Sequence, residues 1–218
     1  MVQFRNKLNF LGDKMIQLSR SCIIVFIMVS SASLISLMYC TYNGYLTHFD
    51  YTALRAFYQL KSVILNHFFL TITWLGSLWI LLPLSIAMLI LLPYRFKNFK
   101  IVFAVGFLST IVVTHTLKNS VERPRPSFFD TLIDMPLDFS FPSAHTAQIT
   151  AFTFLVWVLF FRKGSLKSIL FSSILLLIAI TVASSRIYLQ VHFLTDVLAG
   201  FLVAILCCFT ALLTIKSN

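Results

Sequence analysis

The sequence predicts an all-α, polytopic membrane protein: a bundle of six transmembrane helices whose chemically loaded strings gather at one membrane face. Three observations carry this prediction. The 218 residues are 59% hydrophobic and only 11% charged, with 23 phenylalanines, which lies outside the range of a soluble domain. Six apolar segments reach the roughly 17–25 residues that a helix needs to cross a bilayer. Three strings rich in cations, serine and histidine lie at the ends of those segments: KNSVERPRP (Lys118 to Pro126), FPSAHT (Phe141 to Thr146) and SRIYLQVHFLTD (Ser185 to Asp196).

In chain order, residues 1–21 form a basic segment suited to the inner leaflet, where anionic lipids attract Arg5, Lys7, Lys14 and Arg20. The spans follow at about 22–42, 67–92, 101–118, 145–161, 168–185 and 193–214. The first is too long for a signal-peptide core and lacks a small-x-small cleavage site, so it reads as an anchor. Pro83 predicts a kink in the second. Tyr39, Tyr42, Tyr45, Tyr51 and Tyr58 form an outer aromatic belt around the first connection. The outer segments, this connection included, read as two loops and a short turn. Cys22, Cys40, Cys207 and Cys208 lie in apolar segments without a CxxC pair and read as small buried hydrophobes. There is room for one domain, 1–218, with the motifs between 115 and 200.

Charge gives the orientation. With the N-terminus inside, the inner segments hold eleven of the 17 Lys and Arg residues against one acid, Asp13. The outer segments hold Arg55, Lys61, Lys118, Arg123, Arg125 and Arg186, balanced by Asp50, Glu122, Asp130, Asp134, Asp138 and Asp196. The whole net charge of +10 therefore lies inside, which accounts for it as a positive-inside bias and excludes a nucleic-acid patch. Both termini are expected in the cytoplasm, and all three strings at the exterior of a plasma (inner) membrane.

Those strings hold what phosphate chemistry requires: cations for oxyanions, a nucleophile, and an acid for the leaving group. Lys118, Arg125 and Arg186 supply fixed positive charge, Arg125 with a guanidinium fork that suits two oxygens. Each alone would be read as a cation snorkelling at the interface. Ser143 stands at a helix start, where a capping role is the plain alternative. The free amides that follow it, Ala144 first, would cradle a phosphate. His145 in that first turn is the candidate general acid. His192 and Asp196 are four apart, so a carboxylate can fix the ring's tautomer and leave its other nitrogen free to attack. A helix N-terminus disfavours imidazolium and Asp196 favours it, which leaves the proton affinity of His192 open at this level. Arg123 and Glu122 take supporting roles. Asp130, Asp134 and Asp138 have no histidine partner and read as a solvated face, so no metal site is assigned.

The order and spacing of these strings resemble the type 2 phosphatidic acid phosphatase family of membrane lipid phosphatases. The family pattern of Lys, six residues and Arg-Pro matches Lys118…Arg125-Pro126. Pro-Ser-x-His matches Pro142-Ser143-Ala144-His145. Ser-Arg, five residues, His, three residues, Asp matches Ser185-Arg186…His192…Asp196. Ala144 stands where many members carry Gly; Gln190 and Leu194 stand where Gly, and Pro or Tyr, are expected. The resemblance implies a cofactor-free lipid phosphatase that works through a phosphohistidine on His192. Asp196 would orient that ring and His145 would protonate the leaving group. Lys118, Arg125, Arg186, Ser143 and the amides of Ala144 and His145 would hold the oxyanion. The related vanadium haloperoxidases share the pocket but are soluble.

The expected partner is a lipid phosphate in the bilayer. Undecaprenyl diphosphate is the favoured substrate, because the site faces outward and Lys118, Arg125, Arg186 and nearby Arg123 offer charge for two phosphates. Phosphatidylglycerophosphate or phosphatidate is the alternative, and a lipid phosphotransferase a third. A non-catalytic lipid binder or transporter is remote, since both histidines are kept. The loop from Phe128 to Phe141 alternates apolar and acidic residues and is expected in the interface, bordering a gap for lipid tails.

Overall fold

The computed structural model describes residues 19–161 and 165–214; the basic N-terminal stretch assigned to the inner leaflet lies outside the described residues. The chain forms helices α1 (Arg20–Tyr42), α2 (Thr47–Gln59), α3 (Val63–Ile72), α4 (Leu78–Leu91), α5 (Lys97–Val121), α6 (Ala144–Phe160), α7 (Leu166–Tyr188) and α8 (Leu194–Leu212). Short 3₁₀ turns at Thr73–Gly76 and Tyr94–Phe96 join α3 to α4 and lead into α5. No strand occurs among the described residues.

Local chemistry explains why such apolar sequence settles as helix. The Ser19 hydroxyl accepts from Cys22 N at 3.2 Å to cap α1, and Ser62 accepts from Leu65 N at 3.3 Å to cap α3. Polar residues inside the helices turn their hydroxyls back onto their own backbone: Ser30 to Phe26 O, Ser85 to Leu81 O, Thr153 to Ile149 O. Such a hydroxyl needs no water and can sit in hydrocarbon.

Helices α1, α7 and α8, and the segment Tyr94–Val121 that contains α5, are each long and apolar enough to cross a membrane. Helices α3 and α4 together form a bent candidate span, and α6 is a shorter apolar helix of 17 residues. The protein is a multi-pass membrane protein. The second expected span is broken, but not at Pro83. Helix α4 runs through Pro83, and the bend of 43° falls at the 3₁₀ turn before it. Gly76 explains the site of the break. A Cβ there would meet Val182 Cγ1 at 2.6 Å and His145 Cβ at 3.2 Å, so the turn presses against α7 and α6 where only glycine fits.

A second correction concerns the first outer connection, expected as a loop with an aromatic belt. It folds into α2, an amphipathic helix that buries Asp50 and Leu54. Tyr39, Tyr42 and Tyr45 stay exposed as a belt would require, whereas Tyr51 and Tyr58 stack on Phe129 at 5.8 and 4.6 Å and tie α2 to the long outer loop. That loop divides: Phe128, Met135, Leu137 and Phe139 are exposed, while Phe141 is fully buried. Of the cysteines, Cys207 and Cys208 are buried, but Cys22 is exposed and Cys40 intermediate, because α1 turns much of its surface to lipid.

Helix α8 is the axis, packed against α1, α5 and α6. Its buried face carries Ala199, Gly200, Val203, Ala204, Cys207, Cys208 and Ala211. Lipid tails are as apolar as leucine, so helices in a bilayer associate through close van der Waals contact, and small residues permit it. On α5, Phe99, Phe103 and Phe107 recur at helical spacing and fill the gap toward Leu155 and Ala204. This packing brings the C-terminal ends of α5 and α7 and the N-terminal ends of α6 and α8 to one face. Lys118, Ser143, Arg186 and Asp196 all meet there.

Gly200 sets how near α8 comes to α6. A Cβ at this position would lie 2.6 Å from the backbone oxygen of Ser143 and 3.2 Å from Ala147 N, and neither backbone atom can rotate away. Gly200→Ala is expected to destabilise the folded protein by about 1–3 kcal/mol, the usual cost of overpacking. Thermal unfolding of the purified variant in detergent measures it; an unchanged Tm would show that the helix pair slides freely.

Candidate active site

Helix ends position Lys118, Ser143, Arg186 and Asp196, while Arg125 and His192 lie in the connections between helices. Lys118 lies in the last turn of α5, 3% exposed. The helix stops four residues later with Glu122 in the left-handed region at φ 51°, its N–H closing on Lys118 O at 3.0 Å. Pro124 and Pro126 then prevent helix from resuming. Arg123, given a supporting role beside Glu122, turns inward to Asp50 and Asp196.

Arg125 is the hub of the outer loop. Its Nε donates to Asp138 O at 2.9 Å, Nη2 to Asp138 Oδ1 at 2.5 Å, and Nη1 to Val191 O at 2.7 Å; Nη1 also lies 3.2 Å from His192 Nε2. Lys118 Nζ reaches the other Asp138 oxygen at 3.0 Å and donates to Phe139 O. Asp130, Asp134 and Asp138 are all exposed, in keeping with a solvated face, but Asp138 is also paired with two cations. Partial burial works against its charge, yet Lys118 and Arg125 outweigh that and hold its pKa down to about 2. The carboxylate thus bridges two of the three expected phosphate-binding cations.

The third, Arg186, ends α7 almost wholly buried. Its Nη1 donates to Thr73 Oγ1 at 2.7 Å, while its Nε has no partner among the described residues. An unsatisfied guanidinium nitrogen in a buried place is costly unless something arrives to accept from it. Ser143 occupies the N-cap position of α6 without capping it. Its N–H donates to Asp196 O at 3.0 Å, and its Oγ accepts from Thr146 Oγ1 at 3.0 Å. The capping alternative therefore does not describe this hydroxyl. Ala144 and His145 open α6, with amides free of intrahelical partners as at any helix start. The His145 ring has no hydrogen-bond partner among the described residues and lies within electrostatic reach of Arg186 and His192.

His192 sits in the turn between α7 and α8, not on the helix, 2% exposed. Its Nδ1 faces Asp196 Oδ2 at 3.4 Å and its Nε2 faces Arg125. A ring donating from Nδ1 keeps the Nε2 lone pair on the cation side. The proton affinity left open by the sequence is resolved downward. Burial disfavours the charged ring first, and Arg125, Arg186 and Lys118 add repulsion, so its pKa lies well below 6.5. The preceding turn depends on Gln190, which adopts φ 62° where glycine was expected. Its side chain offsets that strain by donating to Leu54 O and Ile187 O, both at 3.0 Å, and so pins the turn to α2. Leu194, the other departure, is simply the first residue of α8.

The arrangement is an imidazole with a carboxylate behind it and three cations before it, on an apolar bundle. A match to the model of the PAP2 superfamily over residues 99–218 covers more than half of the chain. The chain belongs to the PAP2 superfamily. Phosphatidylglycerophosphatase B of Bacillus subtilis is 32% identical over 159 residues, 70% of this chain and 76% of its own length. Probable lipid phosphate phosphatase 4 of Arabidopsis thaliana is 32% identical over 136 residues, 48% of this chain and 44% of that protein. The crystal structure of a transmembrane PAP2-type phosphatidylglycerolphosphate phosphatase from Bacillus subtilis has a TM-score of 0.74 at 25% identity, covering 86% of this chain and 94% of that one. Aquifex aeolicus LpxE has a TM-score of 0.62 at 27% identity, covering 75% and 94%. The protein is accordingly a PAP2 lipid phosphatase.

The PAP2 motifs do not include several residues that complete this site. Ser140 is fully buried, donates to Asp196 Oδ2, and has its Oγ 3.4 Å from His192 Nδ1. Thr195 and Asp50 complete a network behind Asp196, and Thr73 holds Arg186. Ser140 and Thr195 flank motif residues and were within reach of a closer reading. Asp50 and Thr73 carry no local signal.

Asp138 already answers Lys118 and Arg125, so a phosphate held by these two expected ligands would have to take its place. Asp138→Asn removes that competitor, so orthovanadate is expected to inhibit the variant several-fold more tightly, the scale of the roughly 0–1 kcal/mol of a half-exposed ion pair. A Ki equal to or weaker than wild type would show that Asp138 does not compete for the anion.

Proposed function

We propose that this chain is a single-domain, six-span enzyme of the plasma membrane, with both termini cytoplasmic and the site outside, that hydrolyses a lipid phosphate through a phosphohistidine on His192. What carries the reading is the His192 ring with Asp196 behind Nδ1 and Arg125 in front of Nε2, Lys118 and Arg186 adding their charge. The positive-inside distribution of charge supports the topology.

In the first step the Nε2 lone pair attacks phosphorus, and Arg125 moves from the ring to a phosphoryl oxygen. The bond from phosphorus to the lipid oxygen breaks, and the departing oxygen takes its proton from His145. Lys118, Arg125, Arg186, Ser143 and the amides of Ala144 and His145 hold the non-bridging oxygens. Asp196 offsets the positive charge that the ring acquires. Water then attacks phosphorus, His145 takes its proton, and the phosphorus–nitrogen bond breaks back to Nε2 with release of phosphate. A lipid hydroxyl in place of water would make the same site a phosphotransferase.

For the substrate, a glycerolipid monoester such as phosphatidylglycerophosphate has the better support. Phosphatidylglycerophosphate phosphatases are among the similar proteins. The expectation of undecaprenyl diphosphate counted Arg123 toward a second phosphate, but Arg123 is committed to Asp50 and Asp196. The diphosphate reading keeps one favourable observation, the unpartnered Nε of Arg186, which leaves positive charge beyond what Asp138 offsets.

Phosphate release from a panel of lipid phosphates and diphosphates in EDTA tests this. The cations already supply the charge, so turnover is expected to survive chelator. His192→Ala is expected to lose about a thousandfold or more in kcat, and His145→Ala about 10²–10⁴-fold, most for poor leaving groups. A neutral His192 is the reactive form, and its pKa lies below 6.5, so the acid limb of kcat/KM should fall below pH 6.5. A requirement for added metal, or a His192→Ala enzyme near the wild-type rate, refutes the mechanism. A kcat/KM tenfold higher for undecaprenyl diphosphate than for the glycerolipid, about 1.4 kcal/mol, would restore the diphosphate reading.

A further inference from the structure

Behind the His192–Asp196 pair, Asp196 is fully buried and crowded with donors. Arg123 Nη1 reaches its Oδ1 at 2.5 Å, while Phe193 N, at 2.9 Å, and the Ser140 hydroxyl take Oδ2. The His192 contact, at 3.4 Å, is the longest of the four. A guanidinium so close would cancel the carboxylate's charge and leave little to offer the ring. Arg123, however, is shared. Its Nη2 donates to Asp50 Oδ2 at 2.7 Å, and its face lies 3.9 Å above the Phe193 ring. Asp50, 1% exposed on α2, also accepts from Thr195 N at 2.9 Å and Thr195 Oγ1 at 2.7 Å. Two buried carboxylates therefore flank one cation, and the trio carries a net charge of −1.

We propose that Arg123 and Asp50 are positioning residues of the hydrolysis: Arg123 fixes Asp196, and Asp50 balances Arg123 so that Asp196 still presents a full negative charge to His192. The inference rests on the reading of His192 as nucleophile. Neither residue touches substrate; both act through Asp196. A role beyond simple stability follows from the geometry. A buried ion pair is weak evidence for stability on its own, because desolvation offsets its attraction. A second carboxylate brought from another helix adds further desolvation, and its clear effect is on the charge felt by the ring.

The groups that face His192 make that charge consequential. Lys118 from α5, Arg125 from the loop, Arg186 from α7 and His145 from α6 oppose a proton on the ring, or a positive charge acquired in attack. Asp138 opposes them only until phosphate displaces it. Asp196, backed by Asp50, is then the protein carboxylate that remains.

Two substitutions of nearly equal size should move the ring in opposite directions. Arg123→Gln removes the cation, strengthens the negative field at His192 and shifts the acid limb of kcat/KM up in pH. Asp50→Asn removes the balancing charge and shifts that limb down. Each shift is expected to be about half a pH unit or more, a threefold change in proton affinity. Arg123→Lys keeps the charge and leaves the limb near wild type. The double variant Asp50→Asn/Arg123→Gln restores the net charge of −1 and should return the limb toward wild type, although its kcat stays reduced. The profiles are measured with dioctanoyl phosphatidic acid in detergent. If Asp50→Asn does not fold, Arg123→Gln and the double variant decide the question: an upward shift that the double variant reverses supports the proposal. Limbs that stay put, or single variants that move the same way, overturn it. His192→Ala run alongside separates the two claims. If it is inactive while the limbs do not move, only this inference fails; if it is active, the underlying mechanism fails.

Discussion

Three cations held together at the end of an apolar bundle repel one another in a place where little water screens them, and that end of the bundle is organised by the repulsion. Lys118, Arg125 and Arg186 are each at least mostly buried. At an effective dielectric near 20, two like charges about 4 Å apart cost on the order of 4 kcal/mol. The protein answers with carboxylates in two layers. Asp138 bridges Lys118 and Arg125 from the solvent side, and Asp196 lies behind His192 from the core side. A loop without regular structure keeps a defined shape because its backbone and Asp138 satisfy those cations. Arg125 takes Asp138 O, Lys118 takes Phe139 O, and Ser140 N–H returns to Arg123 O at 2.8 Å.

The same need explains why α2 exists as more than a connection. A helix lying over the site supplies a carboxylate, Asp50, to a cation that would otherwise neutralise Asp196. It supplies a carbonyl, Leu54 O, to the Gln190 side chain that stabilises the His192 turn. Its tyrosines stack on the loop that carries Asp138. Elements far apart in sequence are joined through polar contacts of high sequence separation. Apolar packing below, centred on Gly200 and the small face of α8, sets how near the four helix ends come.

How much of this was legible in the sequence follows from the range of each interaction. The apolar helices were readable because hydropathy is a local sum, and four of them, or five with the bent pair, are long enough to cross a membrane. The motif residues were readable because helix ends place Lys118, Ser143, Arg186 and Asp196 without knowledge of the packing. Asp50 was not, since its partners Arg123 and Thr195 lie 73 and 145 positions away. Asp138 was not distinguishable from Asp130 and Asp134, which share its chemistry and surroundings in the sequence and differ only in which one the loop brings to the cations. The break at Gly76 gave no local signal, for a similar reason. Proline announces a helix break by its own chemistry, whereas Gly76 breaks the span because Val182 and His145 leave no room for a side chain. Gln190 looked like a mild departure, and its compensation is visible only with α2 in place.

A site already filled by its own carboxylate alters how selectivity must arise. On the proposed mechanism, phosphate binding exchanges one anion for another at Lys118 and Arg125, so much of the Coulomb attraction cancels between the free and bound states. The phosphate group alone then gives modest affinity, and discrimination among lipid phosphates falls to contacts that Asp138 cannot imitate. Two are present. The Nε of buried Arg186 has no hydrogen-bond partner among the described residues and rewards an anion that reaches it directly. The exposed Phe128, Met135, Leu137 and Phe139 on the same loop as Asp138 offer an apolar rim to the part of a lipid just beyond its headgroup, on the proposed reading. A lipid that displaces Asp138 must move that apolar rim as well, which couples recognition of the tail to release of the cations. On the proposed mechanism, the carboxylate therefore favours phosphate presented by a membrane lipid over free phosphate that would otherwise occupy the same cations.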